Sequence, residues 1–285
     1  MYLKLNSVAL IKCIFVVLIY ISTQAFAANT LEITATQPIK KQDNSAYIAL
    51  IIDDLGYHPK NDLRAILLNA KITYAFLPHT PHAKRLATMA HQQGNEVILH
   101  LPMESEQAKA QEPDVLTREM DKEVFTQILE KSLLEIPYIS GLNNHMGSAL
   151  TQSQQHMDWL MSALQTKQLF FIDSRTTSRT VAEKLAQQYQ IPNSRRDVFL
   201  DHVRSKEAIK EQYQRLIKLA KKNGSAIAIG HPFSITLKFL EEKLPELEKN
   251  NIKLVSVKEL IKIQNHNKNN KHNLTSNLNN KEISQ

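Results

Sequence analysis

Between residues 46 and 262 the chain repeats one pattern: a short β-rich apolar run, then a longer amphipathic stretch, then the next run. The runs are "YIALII" (47–52), "ITYAFL" (72–77), "EVILHL" (96–101), "YISGLN" (138–143), "LFFID" (169–173), "DVFLD" (197–201), "SAIAIG" (225–230) and "IKLVSV" (252–257). The stretches "HAKRLATMAHQQ" (82–93), "TREMDKEVFTQILEKSLLE" (117–135) and "SKEAIKEQYQRLIKLAKK" (205–222) read as helices. In the last, Ile209, Tyr213, Leu216 and Ala220 recur at the spacing of one buried helix face. Strands alternating with helices dictate a parallel sheet with right-handed crossovers. The predicted fold is therefore α/β, an irregular (β/α)7–8 barrel in a single domain over 46–262. A doubly wound open sheet is the alternative, but no G-x-G-x-x-G follows the first strand.

The ends lie outside this block. Lys4 and Lys12 precede the apolar run "CIFVVLIYI", and "AFA" follows at Ala25–Ala27. This is the layout of a secretory signal peptide over 1–27, cleaved after Ala27. Residues 28–45 form a polar leader, and the Asn- and Lys-rich residues 263–285 are expected to be a disordered tail. The expected location is exported, with no stable membrane span after cleavage. Cys13 is the only cysteine, so the mature chain has no disulfide and no thiol nucleophile. The formal charge is +7, part of it in the signal and the tail. Aromatics are sparse and no nucleic-acid module is present, so nucleic acid is not an expected partner.

The unusual polar residues sit where the apolar runs end: "IIDDLGY", "FLPHTPH", "ILHLPME", "GLNNHMGS", "FIDSRTTS", "VFLDHV" and "AIGHPFS". In a parallel barrel all of these C-terminal strand ends meet on one face, which carries the active site. Asp53, Asp54, His100, Asn143, Asn144, His145, Asp173, Arg175, Asp201 and His231 therefore converge. Any one of them alone reads as a helix cap or a surface polar group. Together, carboxylates and imidazoles form a donor set for a divalent metal, and an open His/Asp set suits Zn²⁺. No G-x-S-x-G elbow and no phosphate-cradling loop is present. A glycosidase pair, Asp53 or Asp54 facing Asp173 or Asp201, leaves His100, His145 and His231 without a shared task. The adjacent acids Asp53 and Asp54 point opposite ways if the strand alternates regularly, which gives them different jobs.

In their order and spacing, "IIDDLGY", "HLPME", "GLNNHMGS", "FIDSRT", "RDVFLD" and "AIGHP" resemble the divergent polysaccharide deacetylase family. That family is a distant relative of metal-dependent esterases acting on N-acetylated sugars. The resemblance implies a deformed (β/α) barrel, a periplasmic or exported location, and hydrolysis of N-acetyl groups on a cell-envelope glycan such as peptidoglycan. It implies Asp53 as general base, Asp54 as metal ligand and His231 as general acid, with a divalent metal, Zn²⁺, as cofactor. Ordinary members take both ligand histidines from one segment, four residues apart. Here Glu104 stands four after His100, so the second ligand is assigned to His145, with His79 and His82 as the fallback. Asn143 and Asn144 are assigned to sugar hydroxyls or the ligand shell. Asp173 is assigned to orienting His231 or Arg175, and Arg175 to an anionic group or to pairing with Asp173 or Asp201. Two other readings stay open: a non-catalytic glycan-binding or regulatory envelope protein that keeps the fold, and a glycosidase.

Overall fold

The computed structural model describes residues 45–107 and 114–282. Within them, parallel strands form one curled sheet: β1 (Ala46–Leu55), β2 (Thr73–Phe76), β3 (Glu96–Met103), β4 (Ile139–Met146), β5 (Phe170–Asp173), β6 (Asn193–Arg195), β7 (Val198–Phe199), β8 (Ser225–Gly230) and β9 (Ile252–Leu254). Their order is β6-β5-β4-β3-β2-β1-β8-β7, with β9 beside β1. The connecting helices are α1 (Pro59–Ile66), α2 (Ala83–Gln92), α3 (Lys122–Glu135), α4 (Gln154–Lys167), α5 (Ala182–Gln188), α6 (Lys206–Asn223), α7 (Ser234–Lys243) and α8 (Val257–Glu282). This is the irregular (β/α) barrel that the alternation predicts.

The run expected at 197–201 is two short strands on one extended segment. β6 pairs with β5 and β7 with β8. Between them Arg196 N–H donates to Asp173 O at 3.0 Å and Asp197 N–H to Ile227 O at 2.9 Å. One segment thus borders both ends of the sheet. The helix expected over 117–135 starts later, because Asp121 accepts from Val124 N–H and caps it.

Alternation divides the core. Ile48, Leu50 and Ile52 of β1 pack outward under the helices. Ala49 and Ile51 face inward with Ile98, Phe170, Ile172, Ile227 and Ile229, filling the barrel. Val257, Leu260 and Ile261 of α8 join that inner cluster and plug its N-terminal end. Glu96 and Thr73 hold the plug: Thr73 Oγ1 donates to Glu96 Oε2 at 2.9 Å and accepts from Val257 N–H at 3.1 Å, while Lys258 N–H reaches Glu96 Oε2 at 3.2 Å.

The expected signal peptide (1–27) and residues 28–44 of the leader lie outside the described residues. α8 runs from Val257 to Glu282, into the stretch expected to be a tail.

Candidate metal centre and active site

The inward parity of the strands runs on into the site. After Ala49 and Ile51 comes Asp53, after Ile98 comes His100, and after Ile227 and Ile229 comes His231. On β4, Asn143 and His145 lie opposite His100 and Pro102 of β3. Apolar layers therefore give way to polar ones as the strands reach the barrel mouth. Asp54 breaks the parity. Its φ is 60°, left-handed, and the β1–β2 register shifts between Ile52 and Leu55. This kink turns Asp54 toward the same site as Asp53, so the two acids do not diverge as regular alternation would have them. Gly56 completes the turn. Its φ is 128°, and a Cβ there would stand 1.9 Å from Thr80 Oγ1.

Three donor atoms form a triangle. Asp54 Oδ1 lies 3.1 Å from His100 Nε2 and 3.1 Å from His145 Nδ1, and the two ring nitrogens are 3.1 Å apart. Bonds of about 2.0–2.2 Å to Zn²⁺ place tetrahedral ligand atoms roughly 3.3–3.6 Å apart, so these residues fit a divalent ion with small adjustments. Burial pushes the Asp54 carboxyl up, but the His100 and His145 imidazoles at its Oδ1 and the His231 ring beyond outweigh it. Asp54 is held well below the usual carboxylate range.

Asn143 fixes the neighbouring atoms. Its amide nitrogen lies 2.9 Å from Asp53 Oδ1 and 3.1 Å from Oδ2, and its oxygen 2.8 Å from His100 Nδ1. The NH₂ group must face the carboxylate, so the oxygen accepts from His100 Nδ1–H. The His100 Nε2 lone pair then points into the triangle. Asp53 Oδ2 lies 3.6 Å from that same Nε2. Burial raises the Asp53 pKa, and the Asp54 charge adds to it, against the pull of His100, His231 and the Asn143 hydrogen bond.

His231 approaches from β8. Its Nε2 lies 3.6 Å from Asp54 Oδ2, and its Nδ1 donates to Asp201 Oδ1 at 2.8 Å. Asp201 is itself fixed by His231 N–H at 2.7 Å and Thr236 Oγ1 at 2.8 Å. Burial works against a charged His231, but the Asp201 hydrogen bond and the charges of Asp54, Asp201 and Asp53 leave its pKa raised. Asp201 is thus the residue that orients His231; of the two tasks expected of Asp173, holding His231 or Arg175, its contact is with the Arg175 N–H.

Other expected residues are near the mouth but do different work. Asn144 Oδ1 accepts from Ser174 N–H, and Asn144 Nδ2 donates to Met146 O. Asp173 accepts from Arg175 N–H and Thr180 Oγ1. Both lie on the outward parity of their strands and tie loops together. Arg175 has a left-handed φ of 54°, and its side chain makes no ion pair with Asp173 or Asp201. The fallback ligand His79 faces away, 3.2 Å from Asp114 and 3.5 Å from Glu135. His82 lies at the start of α2. Glu104 pairs with Arg118 at 2.9 Å.

A cleft of about 320 Å³ opens over the triangle, lined by Asp54, Tyr57, His58, Leu77, His145 and Phe233 among others. A larger groove of about 810 Å³ runs between α1 and α7, lined by Leu63, Leu67, Leu240 and Leu244 with Arg64 and Glu241. It holds no cluster of acids and imidazoles, so the chemistry belongs to the smaller cleft. The sequence reading did not single out Arg196, Phe199, Arg204 or Phe233. The His231 ring is 5.2 Å from Phe199 and 5.4 Å from Phe233. The signal for Phe199 was its inward parity two positions before Asp201, and for Phe233 its place two after His231.

A sequence profile of the divergent polysaccharide deacetylase family matches residues 50–261, which takes in every site residue from Asp53 to His231. The chain is 36% identical over 222 residues to the uncharacterized protein YibQ of Escherichia coli K12, covering 78% of this chain and 70% of that one. It is 36% identical over 200 residues to an uncharacterized protein of Haemophilus influenzae, covering 70% and 71%. The crystal structure of the uncharacterized protein ATU2773 from Agrobacterium tumefaciens C58 superposes with a TM-score of 0.73 at 22% identity, covering 76% of this chain and 89% of that one. That last likeness is one of fold. With the profile spanning the barrel and the whole site, the chain belongs to the divergent polysaccharide deacetylase family.

Proposed function

We propose that this protein is an exported, zinc-dependent hydrolase that removes N-acetyl groups from a cell-envelope glycan. The observation that carries the reading is the triangle of Asp54 Oδ1, His100 Nε2 and His145 Nδ1, with 3.1 Å edges, beside Asp53 and faced by His231. The family membership supports a polysaccharide deacetylase-like activity. The N-terminal run to Ala27 supports export, and the donor set of one carboxylate and two imidazoles supports zinc.

Asp54, His100 and His145 would hold the ion, which supplies a Lewis acid for the acetyl carbonyl and an activated water. Asp53 accepts a proton at Oδ2. Burial raises its proton affinity. Asn143 keeps that carboxylate from swinging out of line. His231 gives the proton on Nε2 to the leaving amine nitrogen, while Asp201 holds Nδ1 and stabilises the charged ring. The cleft is near the lower end of the volumes typical for small-ligand pockets, which suits one sugar ring over the triangle.

The test is Asp54→Ala. Mature wild type should retain zinc by elemental analysis and release acetate from chitin oligosaccharides. The variant should lose both. Deacetylation undiminished in the variant would overturn the reading.

A further inference from the structure

We propose that the substrate carries a carboxylate or other anionic group beside the acetylated sugar, and that Arg204 at the lip of the cleft recognises it. This rests on the deacetylase reading above and names the class of glycan it would take.

One guanidinium without a carboxylate partner stands on a ring that lines the cleft. The Arg204 guanidinium lies 3.7 Å from the centre of the Phe233 ring, and Phe233 lines the cleft. At that distance the guanidinium rests against the face of the ring. Its planar fork of N–H donors remains available at the edges, a geometry matched to carboxylate or phosphate. Arg204 is exposed, yet it is held on the ring, so less freedom is lost when it binds.

Among the described residues, Arg204 has no carboxylate partner. Elsewhere arginines pair with acids: Arg64 with Glu241, Arg118 with Glu104, Arg179 with Glu106 and Arg195 with Glu183. A second arginine stands behind the other ring that flanks His231. The Arg196 guanidinium lies 5.0 Å over Phe199, with Nε donating to Ser174 O at 2.7 Å and Nη2 to Arg175 O at 2.8 Å. Arg175 is close enough for its charge to oppose that of Arg196.

The charges around the mouth do not cancel. Asp53 and Asp54 lie beside the proposed ion, Asp201 accepts from His231, and Asp173 lies within the electrostatic reach of both Arg175 and Arg196. Arg204 is left over. An unpaired guanidinium held against a ring of the cleft raises the local concentration of anions and selects for them.

The experiment compares two probes on the mature, zinc-loaded full chain by calorimetry: chitin oligosaccharide, N-acetylated and neutral, and hyaluronan oligosaccharide, which alternates N-acetylated sugar with uronic acid. The acidic probe should bind about tenfold more tightly at low salt, with the preference shrinking as ionic strength rises. Arg204→Gln should bring the ratio close to one, and Arg204→Lys should keep part of it together with its salt dependence. Lys222→Gln, an exposed lysine in the last turn of α6, is the control that should leave the ratio as it is. Thermal melts check that each variant is folded. Chitin binding with no acidic preference, or a preference insensitive to Arg204→Gln, overturns the inference and leaves the deacetylase reading standing. Absence of binding to either probe overturns both.

Discussion

Asn143 holds both oxygens of Asp53 with one amide nitrogen, at 2.9 and 3.1 Å, while its own oxygen accepts from His100. A single side chain therefore sets the position of the proposed base and the ring orientation of a proposed ligand. Asn143→Ala should release both, lowering zinc affinity by roughly 10–100-fold, as loss of such supporting contacts does. Acetate release should fall at least as far. Zinc titration by calorimetry reads the first effect without reference to turnover.

Ligand binding should be visible as stability. At free zinc about 100 times its dissociation constant, a site present only in the folded state adds roughly 2.7 kcal/mol. For a domain of this size that raises the melting temperature by about 5 °C or more. Chelator should remove the gain in wild type. His145→Ala should show no zinc-dependent gain, because one corner of the triangle is missing.

Asp201 is expected to act through His231. Asp201→Asn keeps an oxygen for Thr236 or for the His231 backbone but loses the charge behind Nδ1. Acetate release should fall about 10²-fold, mainly in kcat, while zinc content measured by elemental analysis stays at the wild-type level. A fall confined to KM would assign Asp201 to substrate binding instead.

Glu96 supplies a pH-dependent prediction far from the site. Burial raises its pKa, although Lys258 N–H, Thr73, Ser140 and Val257 N–H all pull it down. A folded pKa above the unfolded one means that its contribution is fully present below the unfolded value. It is lost as pH rises through the folded value. Glu96→Gln removes this term. Its melting temperature relative to wild type should therefore improve from pH 4 to pH 7 in a series of thermal melts.

Gly56→Ala tests the turn that carries Asp54. The new Cβ would collide with Thr80, and φ of 128° is a conformation that only glycine adopts readily. A loss of roughly 1–3 kcal/mol is expected from the backbone alone. Shortening Thr80 to Ala in the same chain removes the Oγ1 contact but leaves its Cβ 2.8 Å from the new one, so it should recover only a fraction of the loss, as denaturant unfolding of the two variants would show.

Much of this was legible in the amino-acid sequence because barrels convert linear order into position. Eight apolar runs announced the strands, and the polar residues at their ends announced the mouth. Parity could have refined the list: Asn144 and Asp173 sit on outward positions of β4 and β5, and both tie loops. What parity cannot supply is the kink at Asp54, which depends on a local left-handed backbone that the neighbouring strand register accommodates. Asp201 and Asp173 also end similar runs. Only the path of the 193–201 segment, shared between the two ends of the sheet, decides that Asp201 is the one beside His231. The stacked arginines escaped notice because cation–ring contacts between residues 204 and 233 leave no periodic trace.

The placement of β1 bears on how the chain must assemble. Its residues pair with β2 on one edge, with β8 on the other, and at Ala46–Ile48 with β9. This early strand thus waits for two partners, β8 and β9, made nearly two hundred residues later. Until they arrive, a long apolar strand has an open edge, the kind of surface that recruits wrong neighbours. Folding should accordingly be slow and all-or-none, gated by delivery of the last segment rather than by growth from the first.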